Sequence, residues 1–238
     1  MPAPGAVFFD LDGTLADTAP DLAFALNETL KAFGRDPLPF AAIRPVVSHG
    51  GIALIRLGFG MEPEQPGFEE KRQHLLGVYQ ENICRETRLF PGMETVLEEL
   101  AKHGIPWGIV TNKPAWLTDP LLQALPLPSP PTCSVSGDTC PERKPHPMPL
   151  LHACKLAGAE PATSLYVGDA ERDMQAGRAA GMTTVCALFG YLLPDDDPRR
   201  WPADHYIEEP GELLGLLEGP DHDKDSSADP VVGVHQGR

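Results

Sequence analysis

The chain has 238 residues, 42% of them apolar and 22% charged, which suits one large or two small folded domains and excludes global disorder. Thirty-four acids against 19 bases leave a net charge of −15. That balance argues against a nucleic-acid partner and against anchoring to anionic lipid, because both are held by clustered Lys and Arg. An anionic substrate would need a local cation or metal to hold it.

In chain order, Ala6–Phe9 reads as a buried strand that runs into the acidic turn Asp10-Leu11-Asp12-Gly13. From residue 17 to about 88 the pattern is helical, with no strand candidate inside it. Leu22, Leu26, Leu30 and Phe33 share one face, and Phe68, Leu75, Tyr79 and Ile83 another. Pro37, Pro39, Pro45, Pro63 and Pro66 divide this stretch into separate helices. After the turn at Pro91-Gly92 the pattern alternates. Met93, Val96, Leu97, Leu100 and Ala101 make a helix face stopped by Gly104, Trp107–Val110 is a strand, and residues 115–125 a helix. A short strand at 134–136, a helix at 147–156, a strand at 164–167 and a helix at Glu171–Ala180 follow. Strands at Thr183–Ala187 and His205–Ile207 and a helix at 212–217 complete the pattern. Such alternation implies a parallel sheet with right-handed crossovers. The Asp/Ser/Gly/Pro-rich residues 218–238 read as a disordered tail.

The longest apolar runs, such as Trp107–Val110 and residues 183–188, fall far short of the ~20 residues of a membrane span. Residues 1–5 carry no base, and no apolar segment follows a charged start, so no secretory leader is expected. The five cysteines, Cys84, Cys133, Cys140, Cys154 and Cys186, are odd in number and form no C-x-x-C, which points to a reducing cytoplasm. Cys133, Cys140, His146 and His152 match no usual zinc spacing and read as separate loop and core residues.

Four polar clusters fall at or just beyond carboxyl ends of expected strands, the edge where open α/β sheets bind ligands. The first is Asp10-Leu11-Asp12-Gly13-Thr14. Two carboxylates this close repel unless a cation sits between them. Mg²⁺, which takes hard oxygen ligands, fits. An Asp can also attack phosphorus, with a second Asp moving protons. The plainer alternative is an Asp-Gly turn with an Asx cap. The second cluster is Thr111-Asn112-Lys113, a phosphate cradle or simply a helix start led by Pro114. The third is Lys144 before Pro145, a surface residue or a charge-neutralising one. The fourth is Gly168-Asp169-Ala170-Glu171-Arg172-Asp173. If Asp169 and Asp173 fall in one helical turn they share a face, either as metal ligands or as ordinary acidic residues at a helix start.

Taken together and in order, these four clusters resemble the motifs of the haloacid dehalogenase superfamily of phosphotransferases, and the helical insert resembles that family's helical cap. The resemblance runs from about residue 6 to 217. It implies an α/β fold, a Rossmann-like parallel sheet core at 1–16 and 90–217 with an inserted all-helical cap at 17–89. It also implies hinges near 16–18 and 90–92. Asp10 would be the nucleophile and Asp12 the general acid and base. Asp10, the Asp12 carbonyl, Asp169 and Asp173 would hold Mg²⁺. Thr111 and Asn112 would bind phosphoryl oxygens, and Lys144 would balance charge. Asp12 argues against dehalogenation, since dehalogenases of the superfamily lack the second carboxylate. The absence of His from 19–30 favours hydrolysis over a β-phosphoglucomutase-like transfer. The cap lysines, Lys31 and Lys71, suit no Schiff base. The presence of Asp10, Asp12, Thr111, Lys144 and Asp169 speaks against an inactive binding protein.

Residues 45–51, Pro-Val-Val-Ser-His-Gly-Gly, look like the substrate loop of phosphoglycolate phosphatases, though that loop commonly reads Val-Gly-Asn-Gly-Ala. The N-acetylmuramic acid 6-phosphate phosphatases of cell-wall recycling match more closely. The shared features are Ile43-Arg44, the loop, Thr111-Asn112-Lys113-Pro114, Gly190-Tyr191, and Asp197-Pro198 through Trp201 to Ala203-Asp204. That branch usually has Gly where His49 stands. Arg44, Ser48, His49 and Gly50 are the expected substrate contacts, with Arg44 and His49 reading a carboxylate or sugar. The partner expected is a small phosphorylated metabolite, met by a monomer or homodimer in the cytoplasm, with no nucleic acid and no membrane.

Overall fold

A computed structural model of the chain describes residues 4–217, so the expected disordered tail lies outside the described residues. Strand β1 (Ala6–Phe9) enters the acidic turn, and the two-residue β2 (Ala16–Asp17) leads into helices α1 (Ala19–Ala32), α2 (Phe40–Ile43), α3 (Gly50–Phe59) and α4 (Phe68–Glu81). β3 (Arg88–Leu89) returns the chain. Then follow α5 (Met93–Lys102), β4 (Trp107–Val110), α6 (Ala115–Ala124), β5 (Cys133–Val135), α7 (Met148–Ala157), β6 (Ser164–Gly168) and α8 (Glu171–Ala180). β7 (Thr183–Ala187), β8 (His205–Ile207) and the short α9 (Leu214–Leu217) close the described chain.

The main sheet has six strands in the order β5-β4-β1-β6-β7-β8, every pairing parallel. β1 is buried along its length because both of its faces are covered. Val7 and Phe9 join the larger apolar cluster, while Ala6 and Phe8 join a second cluster with residues of α7 and α8. Phe9 packs edge-on against Trp107 across the strand pair, with ring centroids 6.3 Å apart. α5 buries Met93, Val96, Leu97 and Leu100, the one-sided spacing that makes it helical. The strand order reverses direction on either side of β1, so the carboxyl ends of β4, β1 and β6 border the crevice where such sheets bind ligands.

The helical stretch differs from expectation at its ends. β2 and β3 pair antiparallel, Ala16 with Leu89 and Asp17 with Arg88, where no strand was expected. Two residues are too few for a periodic signal, and the pairing joins positions distant in sequence. Asp21, buried at the start of α1, secures this crossing. Its carboxylate accepts the amide N–H of Glu86 at 3.0 Å, the Thr87 N–H at 2.9 Å and the Thr87 hydroxyl at 2.7 Å.

The expectation that no stretch reaches the length of a membrane span also needs correcting. Phe40–Phe59 is a helical run of 20 residues that, by length and composition alone, is long and apolar enough to cross a membrane. Arg44-Pro45, Ser48-His49 and Arg56 interrupt it, so it does not show as an apolar run. It is not one straight helix: a 3₁₀ turn over Arg44–His49 and Gly50, at φ +75°, break it, and Ile43, Val47, Leu54, Ile55 and Phe59 pack into the larger apolar cluster.

Replacing Asp21 by Ala would leave three donors without their acceptor. We expect a loss of about 3 kcal/mol, read as a lower urea midpoint with unchanged slope.

Candidate active site

β1 delivers Asp10 to the centre of the sheet edge, where it is buried. Its Oδ1 accepts the Leu11 N–H at 2.7 Å and pairs with Lys144 Nζ at 3.0 Å, while Oδ2 lies 4.0 Å from the Arg172 guanidinium. The turn beyond is tight: Gly13 N–H bonds the Ala16 carbonyl, and Leu15 N–H bonds the Asp10 carbonyl. Gly13 sits at φ +84°, and a Cβ there would strike the Asp169 carboxylate. Asp12, on the same turn, faces the helical layer. Its Oδ1 accepts the Thr18 hydroxyl at 2.6 Å and Lys113 Nζ at 2.7 Å.

Lys144 is the buried hub. Its side chain has 0% exposure, and Nζ meets Asp173 Oδ1 at 2.7 Å, Tyr166 Oη at 2.7 Å and the Val110 carbonyl at 2.9 Å, besides Asp10. Asn112 holds it in place, accepting from the Lys144 N–H at 3.0 Å and donating to its carbonyl at 2.9 Å. The Asn112 side chain, expected on phosphate, is therefore committed to the Lys144 backbone. The Thr111 hydroxyl accepts the Lys113 N–H at 3.1 Å.

Asp169 and Asp173 do not share a helical turn. Asp169 precedes α8, whose N-cap is Ala170, and Asp173 lies inside it. Asp173 Oδ2 accepts the Ala170 N–H at 3.1 Å, so both its oxygens are engaged. Asp169 Oδ2 accepts the Tyr191 N–H and the Ser48 hydroxyl, both at 2.8 Å. Its Oδ1 is buried with no hydrogen-bond partner among the described residues.

Asp10, Asp169 and Asp173 form the acidic group whose ligand atoms lie within 4.8 Å of one another. Burial, then the charges of Asp10 and Asp173, push the Asp169 carboxyl up to about 7. Burial also raises Asp10, against the opposing charge of Lys144. A divalent cation fits this set. The orphaned Asp169 Oδ1 needs a positive partner, Asp10 and the Asp12 carbonyl supply further hard oxygens, and among the described residues that carbonyl accepts only a long 3.4 Å contact from Ser48. Asp173, expected among the metal ligands, has its oxygens engaged by Lys144 and by the Ala170 N–H.

The loop between α2 and α3 reaches this edge. The Ser48 hydroxyl bonds Asp169, and the Ser48 carbonyl accepts Arg172 Nη2 at 2.9 Å. Arg44 lies apart from the carboxylates. It donates to the Gly190 and Phe189 carbonyls at 3.1 and 3.2 Å, and stacks 4.9 Å above the Tyr191 ring. His49 and Gly50 are exposed at the rim. Partial desolvation and then the Arg172 charge lower the His49 pKa.

Residues with no role assigned from sequence also build the site. Lys113 pairs with Asp12, Arg172 bridges towards Asp10 and Ser48, and Tyr166 donates to Val110 O at 2.9 Å beneath Lys144. Tyr191 donates its hydroxyl to Asp17 at 2.6 Å and accepts the Ala19 N–H at 2.9 Å. Lys113 and Arg172 stand inside the second and fourth clusters, so adjacency could have flagged them. Tyr191 was singled out only within Gly190-Tyr191 as part of the family resemblance, and Tyr166 carries no such signal.

The profile of the haloacid dehalogenase-like hydrolase family matches residues 7–187. The chain belongs to that family. Among its relatives, the phosphoglycolate phosphatase of Xanthomonas campestris pv. campestris (strain 8004) is 43% identical over 219 residues, covering 90% of this chain and 96% of the relative. The N-acetylmuramic acid 6-phosphate phosphatase of Pseudomonas putida KT2440 is 38% identical over 213 residues, with 90% and 96% coverage. A crystal structure described as a predicted phosphoglycolate phosphatase from Haemophilus somnus 129pt superposes with a TM-score of 0.81 at 28% identity, over 92% of this chain and 100% of that one. The chain is an enzyme of the phosphatase class.

A carboxyl whose folded pKa exceeds its unfolded value keeps its proton in the folded state. For Asp169 the metal-free protein should therefore lose stability as pH rises from about 4 to about 7, and lose no more above that. Measured in chelator, wild type should fall relative to Asp169→Asn by a few kcal/mol across that window. Mg²⁺ above pH 7 should raise the thermal midpoint of wild type and not that of the variant.

Proposed function

We propose that the chain hydrolyses a small phosphate monoester through a phosphoryl group carried on Asp10. The observation that carries this is the pairing of two carboxylates with separate cations at one sheet edge: Asp10 with buried Lys144, and Asp12 with Lys113. Mg²⁺, held by Asp10, the Asp12 carbonyl and Asp169, supplies positive charge against the phosphoryl oxygens when bound.

The chain's own residues do the rest. Lys144 and the Leu11 N–H hold Asp10 Oδ1 in place and orient the carboxylate for in-line attack. The Asp10–phosphorus bond forms as the bond to the leaving oxygen breaks, and Asp12 gives that oxygen its proton. Asp12 then takes a proton from water as the water oxygen bonds phosphorus and the Asp10–phosphorus bond breaks. Thr111, with the backbone around Asn112, faces the transferring group from the end of β4. α1 contains no histidine to receive a second phosphoryl group, which favours water as the acceptor.

Residues 17–89 act as a cap over the core formed by 1–16 and 90–217, opening to admit the ester and closing to exclude water. Ser48 and His49 on the cap loop, with Arg44 and Gly50 flanking them, border the substrate. 2-Phosphoglycolate and N-acetylmuramic acid 6-phosphate are the substrates favoured, in keeping with the names of the relatives. Unpaired thiols at all five cysteines suit a reducing compartment such as the cytoplasm.

The test is phosphate release by purified protein with Mg²⁺ on both esters and on simple sugar phosphates. Asp10→Asn should lower turnover by about a thousandfold or more, and chelator should abolish it. Equal turnover by wild type and Asp10→Asn, or none by either, would refute the reading.

A further inference from the structure

We propose that Lys113 and Tyr79 form a subsite for a carboxylate carried by the leaving half of the substrate, so that they, and not Arg44, set the charge preference of the site. The proposal rests on the phosphatase reading above and deepens it.

The argument begins with the cations near the catalytic edge. Lys144 is enclosed by four oxygen partners. Arg172 is fixed on the Ser48 carbonyl. Arg44 is fixed on the Gly190 and Phe189 carbonyls and the Tyr191 ring. Lys113 differs. Its side chain is only 6% exposed, yet among the described residues Nζ has one oxygen partner, Asp12 Oδ1 at 2.7 Å. An ammonium carries three N–H donors, so a nearly buried cation keeps donor capacity in reserve.

Nζ also stands 4.8 Å from the ring centre of Tyr79, on α4 of the helical layer. Tyr79 is completely buried, and its hydroxyl has no hydrogen-bond partner among the described residues. A buried hydroxyl without a partner is costly. Burial, followed by the nearby charge of Asp12, holds this phenol well above its usual pKa, so it stays a donor. A cation with spare N–H groups thus lies against the aromatic ring that bears an orphaned O–H, across the junction of helical layer and sheet edge.

Their location decides which part of the substrate they meet. Asp12 protonates the leaving oxygen, so a group bonded to Asp12 flanks the leaving half, whereas Lys144 flanks the phosphoryl half. An acceptor able to satisfy several donors and offset a buried ammonium is an anion with multiple lone pairs, which a carboxylate supplies. While Asp12 carries the proton that it gives to the leaving oxygen it no longer offsets Lys113, and a carboxylate would do so where a neutral hydroxyl would not.

The test compares kcat/KM for paired esters that differ in this charge: 2-phosphoglycolate against its neutral amide, and N-acetylmuramic acid 6-phosphate against N-acetylglucosamine 6-phosphate. Wild type should prefer the acid in at least one pair by about tenfold or more. Lys113→Met should reduce that ratio by about tenfold to a hundredfold, mainly through KM, and Tyr79→Phe by about threefold to tenfold. Lys113→Arg should retain most of the ratio, which guards against a variant that merely misfolds, as do thermal midpoints within a few degrees of wild type. The subsite is refuted if wild type shows no preference for the acid in either pair. It is equally refuted if Lys113→Met lowers acid and neutral esters alike, since Lys113 would then act only by positioning Asp12. No release from any ester would refute the phosphatase reading itself, and this one with it.

Discussion

The fully buried ammonium of Lys144 is the constraint around which the rest is arranged. Removing a charge from water costs several kcal/mol unless its partners are well placed. Here the partners come from four separate elements: Asp10 after β1, the Val110 carbonyl ending β4, Tyr166 in β6 and Asp173 in α8. The parallel sheet brings these ends together because β1 lies between β4 and β6. Asn112 then fixes the Lys144 backbone with two hydrogen bonds. Loss of the ammonium would leave Asp10 and Asp173 facing each other without compensation in a buried site that already holds Asp169. The same arrangement accounts for the elevated Asp169 carboxyl, which lies beyond Lys144's contacts and keeps one oxygen unpartnered.

The helical layer is joined to this edge by polar contacts as well as apolar ones. Ser48 bonds Asp169, Arg172 bonds the Ser48 carbonyl, Arg44 bonds two core carbonyls, and Lys113 of the sheet edge lies against the ring of Tyr79. Tyr191 links both regions, with its amide on Asp169 and its hydroxyl on Asp17 at the strand crossing. Tyr191 thereby ties the strand crossing to a carboxylate of the acidic group. Its ring is buried in the larger apolar cluster beside Phe90, so this loop aromatic joins the core and the polar edge at once.

Much of the architecture was legible in one dimension because its causes are local. β1 is four consecutive apolar residues, and α5 places Met93, Val96, Leu97 and Leu100 at helical spacing. Both patterns survive in the fold because burial repeats with the period of each element. The β2–β3 pair was not legible, since each strand has two residues and its partner lies about seventy positions away. Asp169 and Asp173 show a subtler limit. Spacing of four suggests one helical face, yet the helix begins between them, and their side chains serve different partners.

Residue identity and order determined the α/β alternation, the helical stretch between two parts of the sheet, and the acidic, Thr-Asn and Lys clusters at strand ends. Those follow from periodicity and from the chemistry each side chain carries wherever it stands. Only the tertiary structure decided what the side chains are committed to. It assigned Asn112 to the Lys144 backbone, Arg44 to core carbonyls, Asp173 to an ammonium, and left Lys113 and Tyr79 with donors in reserve. The reason is that a hydrogen bond or ion pair depends on distances of about 3 Å between groups from distant parts of the chain, and sequence spacing does not encode that proximity.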